Sequence, residues 1–472
     1  MIRHSLASTA LASALAGAMA CASALALAGP ARADGAPSQP SQDEQVKQLV
    51  QAEIKAWMEK QKDEQSKEKV LTARWNNGLQ FETQDKAFSM RIGGRIHLDT
   101  NFVDPDEGLE GPAPGLGEEW DDTTWFRRLR LYLRGDLTPY VDYNFQLEFG
   151  NPGTPGLRDA YITVKNLKKC IGCWMPSVRV GQQYEPIGLE TVSSDNHTLF
   201  IERAGMLALH PERSIGIALL DSFWNDRATC TVGLYSPDND DEENGFALWD
   251  EEEGDGGLAF SGRFAFIPWA KDTCHFLHVG ATASHRSTDE VRYRSRPGTG
   301  RGPRIVDTGV ITDPDSVLLL NGELGAIWGP FHVWSEYTHL TVSDDVRGDP
   351  AFTAWYVQAG WFLTGESKAY DFKNMLWGNT KPCCNFLSKD CCCWGAVELV
   401  ARVDRLDLTD GSITGGELTM VSGGVNWYLN AHTRLMFDVT NASVDSRAGP
   451  GAGVLVDGED VLTFLMRWDV HF

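Results

Sequence analysis

The hydrophobic pattern changes near residue 78, and from there apolar and polar residues alternate with a period of two. In 88–102 the apolar residues share one parity: Met90, Ile92, Ile96, Leu98 and Phe102. The residues at the other parity are charged or polar: Arg91, Arg95, His97, Asp99 and Asn101. The same alternation recurs in 128–134 and 141–149. Such alternation predicts β-strands with one apolar side and one side that faces water.

The segment before the alternation has the pattern of a helix. Residues 43–71 lack Pro and Gly, and Val46, Val50, Ile54 and Trp57 follow each other at spacings of four, four and three. This spacing predicts a helix with one apolar stripe. Its length fits a short coiled coil or a single surface helix equally well, and the spacing does not choose between the two.

The first 33 residues are predicted to be a secretory signal peptide. Arg3 is followed by an Ala- and Leu-rich run, and an Ala-x-Ala sequence ends at residue 33. A polar linker, 34–42, follows. After it no stretch of about 18 apolar residues remains, so we expect no transmembrane helix in the mature protein. A closed outer-membrane β-barrel and a soluble protein outside the cytoplasm both satisfy these features.

The strand lengths and the last strand favour the barrel over a soluble β-sandwich. The alternating segments are about nine or ten residues long, which is the length of a tilted strand that crosses a bilayer. The last strand places its large apolar residues on one face: Phe464, Met466, Trp468, Val470 and Phe472. We therefore predict an all-β outer-membrane barrel over 78–472, preceded by a short helix in the periplasm.

Charge and motifs exclude several functions. Lys and Arg total 42 against 65 Asp and Glu, a net charge of −23, which argues against nucleic acid as a partner. No hydrolase, zinc-protease or phosphate-loop motif is present, and the 11 His are scattered. We therefore predict no enzyme activity, catalytic residue, metal ion or cofactor. The ten carboxylates of 238–255 are expected in a surface loop.

Nine cysteines lie beyond the predicted signal peptide. Cys170 and Cys173 are close together, five more lie in 383–393, and Cys230 and Cys274 stand apart. In an oxidising compartment the default is disulfides that close loops. A zinc site made by four cysteines is the alternative, and it belongs mostly to reducing compartments.

Arginines recur on the water-facing parity of several strands. They fall into three groups: Arg91 and Arg95; Arg128, Arg130 and Arg134; and Arg292, Arg294 and Arg296, which are expected on one face of an extended segment. Always charged and forked, guanidiniums suit the oxygens of phosphate and similar anions. They fit two interpretations, an anion pathway through the barrel, or pairs with inward carboxylates such as Asp99 and Glu148 that brace its wall.

Ordered motifs over nearly the whole chain from Gly78 to Phe472 resemble one known family, the phosphate-selective porins O and P. They include GLQFETQDKAFSMRIGGRIHLD (78–99), FRRLRLYLRGDLTPYVDYNFQLEF (126–149), VRVGQQYEPIGLETVSS (178–194), ERAGMLALHPERSIGIAL (202–219) and the last strand. The resemblance implies a barrel of about 16 antiparallel strands, usually trimeric, with one pore in each subunit. It also implies that a loop at about 183–212 folds inward and narrows the pore.

The resemblance further implies which residues bind the anion. By position in the motifs they are Arg95, Arg127, Arg128, Arg203, Arg294 and Arg296. At the constriction this chain departs from the family, because Thr191 replaces a lysine and Arg158 replaces an acid. The strand parity places Arg127 away from the lumen, at the rim.

These observations predict an outer-membrane porin for small anions, with phosphate or related oxyanions as the permeating partners. Outer-membrane lipid would surround a homotrimer, with Arg95 and Arg128 steering the ion and Arg203, Arg294 and Arg296 binding it transiently. The 43–71 helix would hold the subunits together or contact the cell wall. Two alternatives stay open, a general and weakly selective porin, and a structural tether of the outer membrane.

Overall fold

The computed structural model describes residues 42–67, 71–109, 120–150, 155–165, 175–236, 246–247, 257–388, 393–448 and 455–472. Several predictions lie outside the described residues: the signal peptide, the linker up to residue 41, nearly all of the acidic stretch, and Cys170, Cys173, Cys391 and Cys392. None of the helices in the described part of the chain is long and apolar enough to cross a bilayer.

The described residues of the N-terminal unit form one long helix, α1, at Gln42–Lys67. It begins one residue before the predicted helix and ends four residues before the predicted end. Its apolar stripe is exposed, with Val46 at 58% and Trp57 at 57% of their accessible surface. A coiled coil through this stripe stays a prediction.

The second unit is a closed antiparallel barrel. Sixteen strands of the described chain each pair with two neighbours, and the last pairs with the first, for example Arg467 with Asp99. The strands are β1 Ser89–Pro105, β2 Thr123–Thr138, β3 Val141–Glu148, β4 Gly156–Val164, β5 Ser177–Tyr184, β6 Arg213–Phe223, β7 Ala228–Ser236, β8 Ala259–Asp272, β9 His275–Arg286, β10 Ser316–Trp328, β11 Phe331–Ser343, β12 Ala351–Phe362, β13 Ala396–Asp410, β14 Ile413–Asn430, β15 Thr433–Ala448 and β16 Glu459–His471. The predicted fold is confirmed.

Several shorter elements pair with barrel strands or with each other. A hairpin of Leu71–Trp75 and Leu79–Thr83 pairs with the start of β1. The remaining elements are Phe246–Ala247 beside β4, Leu455–Val456 beside β15, the pairs Glu290–Val291 with Ile311–Thr312, Arg294–Ser295 with Val306–Asp307 and Tyr370–Asp371 with Leu376–Trp377, a short helix α2 at Leu189–Val192 and a 3₁₀ turn at Gly205–Leu209.

The predicted alternation holds on the outer face of the barrel. Outward side chains such as Phe102 and Leu320 are exposed at 53% and 46%, while His97, Asp99 and Asn101 of β1 are buried inside. An apolar exterior of this kind suits lipid.

Inside, the expectation that the inward side of the strands faces water was wrong on one side of the barrel. Inward residues of β10–β14, including Leu319, Trp334, Tyr356 and Leu406, are buried and form one cluster with Phe200 and Met206. They are apolar because a segment of the chain, rather than water, packs against this wall.

Phe472, which follows β16, is bonded to β1 and extends the contact that closes the barrel. The main-chain N–H of Phe472 donates to the Gly94 carbonyl at 3.0 Å, and the Gly94 N–H donates to the Phe472 carbonyl at 2.9 Å. The hydroxyl of Tyr132 donates to the same Phe472 oxygen at 2.6 Å. Gly93 leaves room for this hydroxyl, since a Cβ there would lie 2.2 Å from it.

Two segments enter the barrel from opposite ends. The first, residues 185–212 between β5 and β6, is called here the constriction loop. Three of its main-chain N–H groups donate to carboxylates on distant strands: Leu189 to Glu336 at 2.8 Å, Ile201 to Asp438 at 2.6 Å and Gly205 to Asp404 at 3.0 Å. Each carboxylate satisfies a donor that would otherwise be buried without a partner.

The second segment, residues 363–388 after β12, is called here the turn-end insert. Its Lys368 ammonium donates to the His197 carbonyl of the constriction loop at 2.7 Å, and the His197 ring bonds the Trp377 carbonyl at 2.9 Å. A disulfide joins Cys384 to Cys393 at the end of this region. No pattern in the sequence predicted that this segment folds inward.

Candidate functional site

A cavity of about 90 Å³ lies between the constriction loop, β2, β4 and residues 294–304. Among the described residues its lining contains eight arginines: Arg127, Arg128, Arg130, Arg158, Arg203, Arg294, Arg296 and Arg304. The lining contains two carboxylates, Glu202 and Glu212. The walls therefore carry a clear excess of positive charge, focused by a low-dielectric surround.

A β-bulge brings Arg127 into this cavity. On β2, Arg128 pairs with His97 and Phe126 pairs with Leu98, so Arg127 is an extra residue without a partner position on β1. Because a bulge puts two residues opposite one, Arg127 and Arg128 both point inward. The Arg127 guanidinium holds Glu202 through two bonds, at 2.8 and 3.1 Å. The parity prediction that placed Arg127 at the rim was wrong.

Arg130 and Arg158 line the cavity from β2 and β4. The Arg130 Nε lies 2.5 Å from Glu148, which is one of the wall pairs that the sequence suggested. Arg158 lies 3.6 Å from Glu212. Arg130 thus braces the wall and faces the cavity at once, and Arg158 contributes its charge at the predicted constriction.

Arg203 is bound into the constriction loop itself. Its guanidinium donates to the carbonyls of Glu190 at 3.1 Å and Ser193 at 2.9 Å. It also lies 2.8 Å from Asp195 and 3.3 Å from Glu212. Arg203 therefore shapes the loop as well as lining the cavity.

Arg294 and Arg296 reach the cavity from a hairpin that faces the loop, where Arg294 pairs in register with Asp307. The Arg296 Nε donates to the Gly302 carbonyl at 2.7 Å. Arg292, predicted on the same face, instead forms a salt bridge with Asp307 at 2.5 Å and stays 40% exposed. The hairpin pairing separates Arg292 from the other two.

Two predicted site residues lie outside the cavity lining. Arg95 donates to Asp195 at 2.8 Å and to Ser194 at 3.1 Å, so it lies behind the loop. Thr191 is buried, with its hydroxyl 2.8 Å from the ring of His210. Neither is among the residues that form the cavity wall.

Asp195 of the constriction loop is the common partner of four arginines. One carboxylate oxygen lies 2.8 Å from Arg95, 3.0 Å from Arg128 and 3.1 Å from Arg130, and the other lies 2.8 Å from Arg203. Burial alone would raise the pKa of Asp195, but these guanidiniums hold that pKa well below its usual value. The carboxylate is therefore ionised throughout the physiological pH range.

Other arginines brace the barrel, as the second interpretation of the sequence proposed. Arg467 binds Asp99 through two bonds, at 2.7 and 2.6 Å, and Arg263 lies 2.7 Å from Glu323. The bracing interpretation therefore holds for these arginines, and the anion pathway stays a prediction for the arginines that line the cavity. Within the described residues no group of His, Cys, Asp or Glu is arranged to hold a metal ion.

Some residues of the site were missed by sequence reasoning. Arg130 was placed on the water-facing side of β2 but not assigned to the site, although its parity was the available signal. Glu202 stands beside Arg203 in the motif ERAGMLALHPERSIGIAL, but it was not assigned to the site. Asp195 and Arg304 lie in irregular segments, where no periodicity indicates a direction for the side chain.

A sixteen-stranded barrel with an apolar exterior and a charged inward loop defines an outer-membrane porin. The model of the phosphate-selective porin O and P family matches residues 90–469. The chain belongs to this family, as its motifs predicted, and it is a protein of the outer membrane.

Two relatives and one solved structure illustrate what this chain is similar to. Porin O of Pseudomonas aeruginosa is 26% identical over 414 residues, which cover 79% of this chain and 87% of the relative. An uncharacterized protein of Caulobacter vibrioides is 27% identical over 368 residues, 76% of this chain and 69% of its own length. Among solved structures, an anion-selective porin from Comamonas acidovorans has a TM-score of 0.49 at 12% identity, covering 82% of this chain and all of that chain.

Proposed function

We propose that this porin is an anion-selective diffusion channel, and that phosphate or a related oxyanion is the ion it favours. The observation that carries the proposal is the charge of the cavity, which has eight guanidiniums and two carboxylates in its wall. A cation that enters would meet a described lining with more guanidiniums than carboxylates and would be repelled, whereas an anion would be attracted. Net charge elsewhere matters little, because exposed charges are screened beyond about 8–10 Å.

The arginines divide into supporting and contacting groups in this proposal. Arg95 and Arg203 are tied to the constriction loop, so they act mainly through its shape and field. Arg294, Arg296 and Arg158 face the cavity from outside that loop. We propose that these three make the transient contacts to the ion. Such contacts must be weak enough for release, or the ion would block the pore.

Reversal potentials in planar bilayers test this proposal. Under a potassium chloride gradient the parent should prefer anions, and replacing Arg294 and Arg296 together by Gln should reduce that preference. Arg405→Gln is the matched control, since Arg405 pairs with Glu417 outside the cavity. The control should keep the parent's preference. Cation preference in the parent would refute the proposal.

The same recordings separate the two alternatives. A general porin would give equal half-blocking concentrations for phosphate and sulfate against chloride current, with no effect of Arg294 or Arg296. A structural tether would give folded protein without conductance.

The predicted homotrimer and the role of 43–71 are part of the proposal. The exposed apolar stripe of α1 is suited to contact other copies of the same helix. Light scattering of the detergent-solubilised full chain and of a chain lacking 43–67 tests this. Loss of the trimer on deletion supports helix-mediated assembly, and retention of peptidoglycan binding only in the full chain supports contact with the cell wall.

A further inference from the structure

One carboxylate inside the arginine cluster has the environment of a bound anion. Asp195 accepts contacts at 2.8–3.1 Å from the guanidiniums of Arg95, Arg128, Arg130 and Arg203. Arg95 and Arg130 donate hydrogen bonds to this carboxylate, and Arg128 and Arg203 lie at ion-pair distance. Phosphate oxygens accept contacts of the same kind from arginine. Its side chain is 5% exposed, so solvent does not compete for these contacts.

Three of these four arginines also line the cavity that a permeating ion would enter. Arg128, Arg130 and Arg203 line the cavity, and Arg95 stands behind them on the other side of Asp195. Within the described residues, Asp195 is the acid with which Arg128 forms a salt bridge, and the buried Nη1 of Arg128 has no hydrogen-bond partner there. Arg130 and Arg203 also contact Glu148 and Glu212, so these four guanidiniums contact three carboxylates and the cluster keeps an excess of positive charge.

We infer that Asp195 is the specificity-determining residue of the pore, a built-in counter-ion that competes with permeating oxyanions for the cavity arginines. The inference rests on the proposed function. By drawing Arg128, Arg130 and Arg203 back toward the loop, the carboxylate weakens their hold on a passing oxyanion and favours release. Its removal without change of shape should turn a fast, weakly binding pore into a slower one that binds oxyanions tightly.

The test compares phosphate block in three proteins. Chloride current through the parent, Asp195→Asn and Asp159→Asn is titrated with inorganic phosphate in planar bilayers. Asp159 is the matched control, because its carboxylate lies on the inner wall 2.8 Å from Arg213 and outside the cavity lining. The half-blocking concentration should fall about tenfold in Asp195→Asn, and stay within about twofold of the parent in Asp159→Asn.

The outcomes separate this inference from the proposed function. Cation preference in the parent refutes the proposed function. Anion preference in the parent with unchanged phosphate block in Asp195→Asn refutes the inference alone.

A folding measurement covers the case in which Asp195→Asn does not fold in buffer without oxyanions. Refolding in lipid vesicles is then followed by heat-modifiable gel migration, with and without phosphate. Rescue by phosphate supports the inference, because a free oxyanion replaces the missing carboxylate. Failure of phosphate to rescue the variant overturns it, since Asp195 would then hold the loop by geometry alone.

Discussion

Replacement of Arg203 by Ala should loosen the constriction loop without unfolding the barrel. The change removes donors to two loop carbonyls, at 3.1 and 2.9 Å, and leaves Asp195 and Glu212 short of one partner each. Breaking a buried ion pair by removing one partner costs roughly 3–5 kcal/mol. The population of loops released from the wall should then rise by about 10²- to 4 × 10³-fold, since 1.4 kcal/mol corresponds to a factor of ten.

Amide hydrogen exchange of the full chain in detergent measures this release directly. The N–H groups of Leu189, Ile201 and Gly205 are bonded to wall carboxylates and report on the loop. Amides of β14 report on the barrel ladder, which Arg203→Ala should leave unchanged. Arg203→Lys keeps the charge but loses the fork, so its effect should be intermediate. Loop exchange in Arg203→Ala equal to that of the parent would show that this arginine does not hold the loop.

Three further predictions concern other parts of the structure. Burial favours the neutral form of Glu202, but nearby arginines, Arg127 first among them, lower its pKa to about 2. The support that Glu202 gives the loop should therefore be complete above about pH 4.5 and be lost as the pH falls toward 2. Single-channel noise that does not change between pH 4.5 and pH 2 would contradict this prediction. Tyr132→Phe removes the hydrogen bond to the Phe472 carbonyl and should lower the free energy of unfolding in urea by about 1 kcal/mol. An unchanged urea midpoint would show that this bond does not stabilise the closed barrel. Gly181→Ala should lower the free energy of unfolding by more than about 1 kcal/mol, because φ is +125° and a Cβ would lie 2.2 Å from a carbonyl oxygen. Gly423→Ala is the control, because no atom lies near the added Cβ, and its free energy of unfolding should stay within about 0.5 kcal/mol of the parent.

The barrel could be predicted because the physical constraint on its strands is local and repeats every two residues. Met90 and Ile92 face outward for the same reason as Phe464 and Met466, namely that they occupy the apolar parity of their strand. The alternation within each strand is therefore enough to predict which side faces outward. The constraint fails at a bulge, where one extra residue reverses the parity. Arg127 shows this failure, since only the pairing with β1 reveals that it shares a side with Arg128.

The interior could be predicted only in part. The motifs pointed to six of the cavity arginines, Arg127, Arg128, Arg158, Arg203, Arg294 and Arg296, because each lies in a recognisable sequence. The position of Asp195 depends on four arginines from three separate segments, and no single stretch of sequence contains that relation. The turn-end insert was missed for the same reason, since Lys368 and its partner His197 are 171 residues apart in the sequence.

The two inward segments have a mechanical consequence for the pore. They are fastened to the wall at points spread around its circumference, through Glu336 on β11, Asp404 on β13 and Asp438 on β15 for the constriction loop, and Arg263 on β8 for the turn-end insert. The two segments also contact each other, where the Lys368 ammonium donates to the His197 carbonyl. Contacts of this kind, which link opposite parts of the wall through the interior, should oppose flattening of the circular barrel cross-section. We therefore expect the width of the pore to change little when the surrounding bilayer is stretched or thinned.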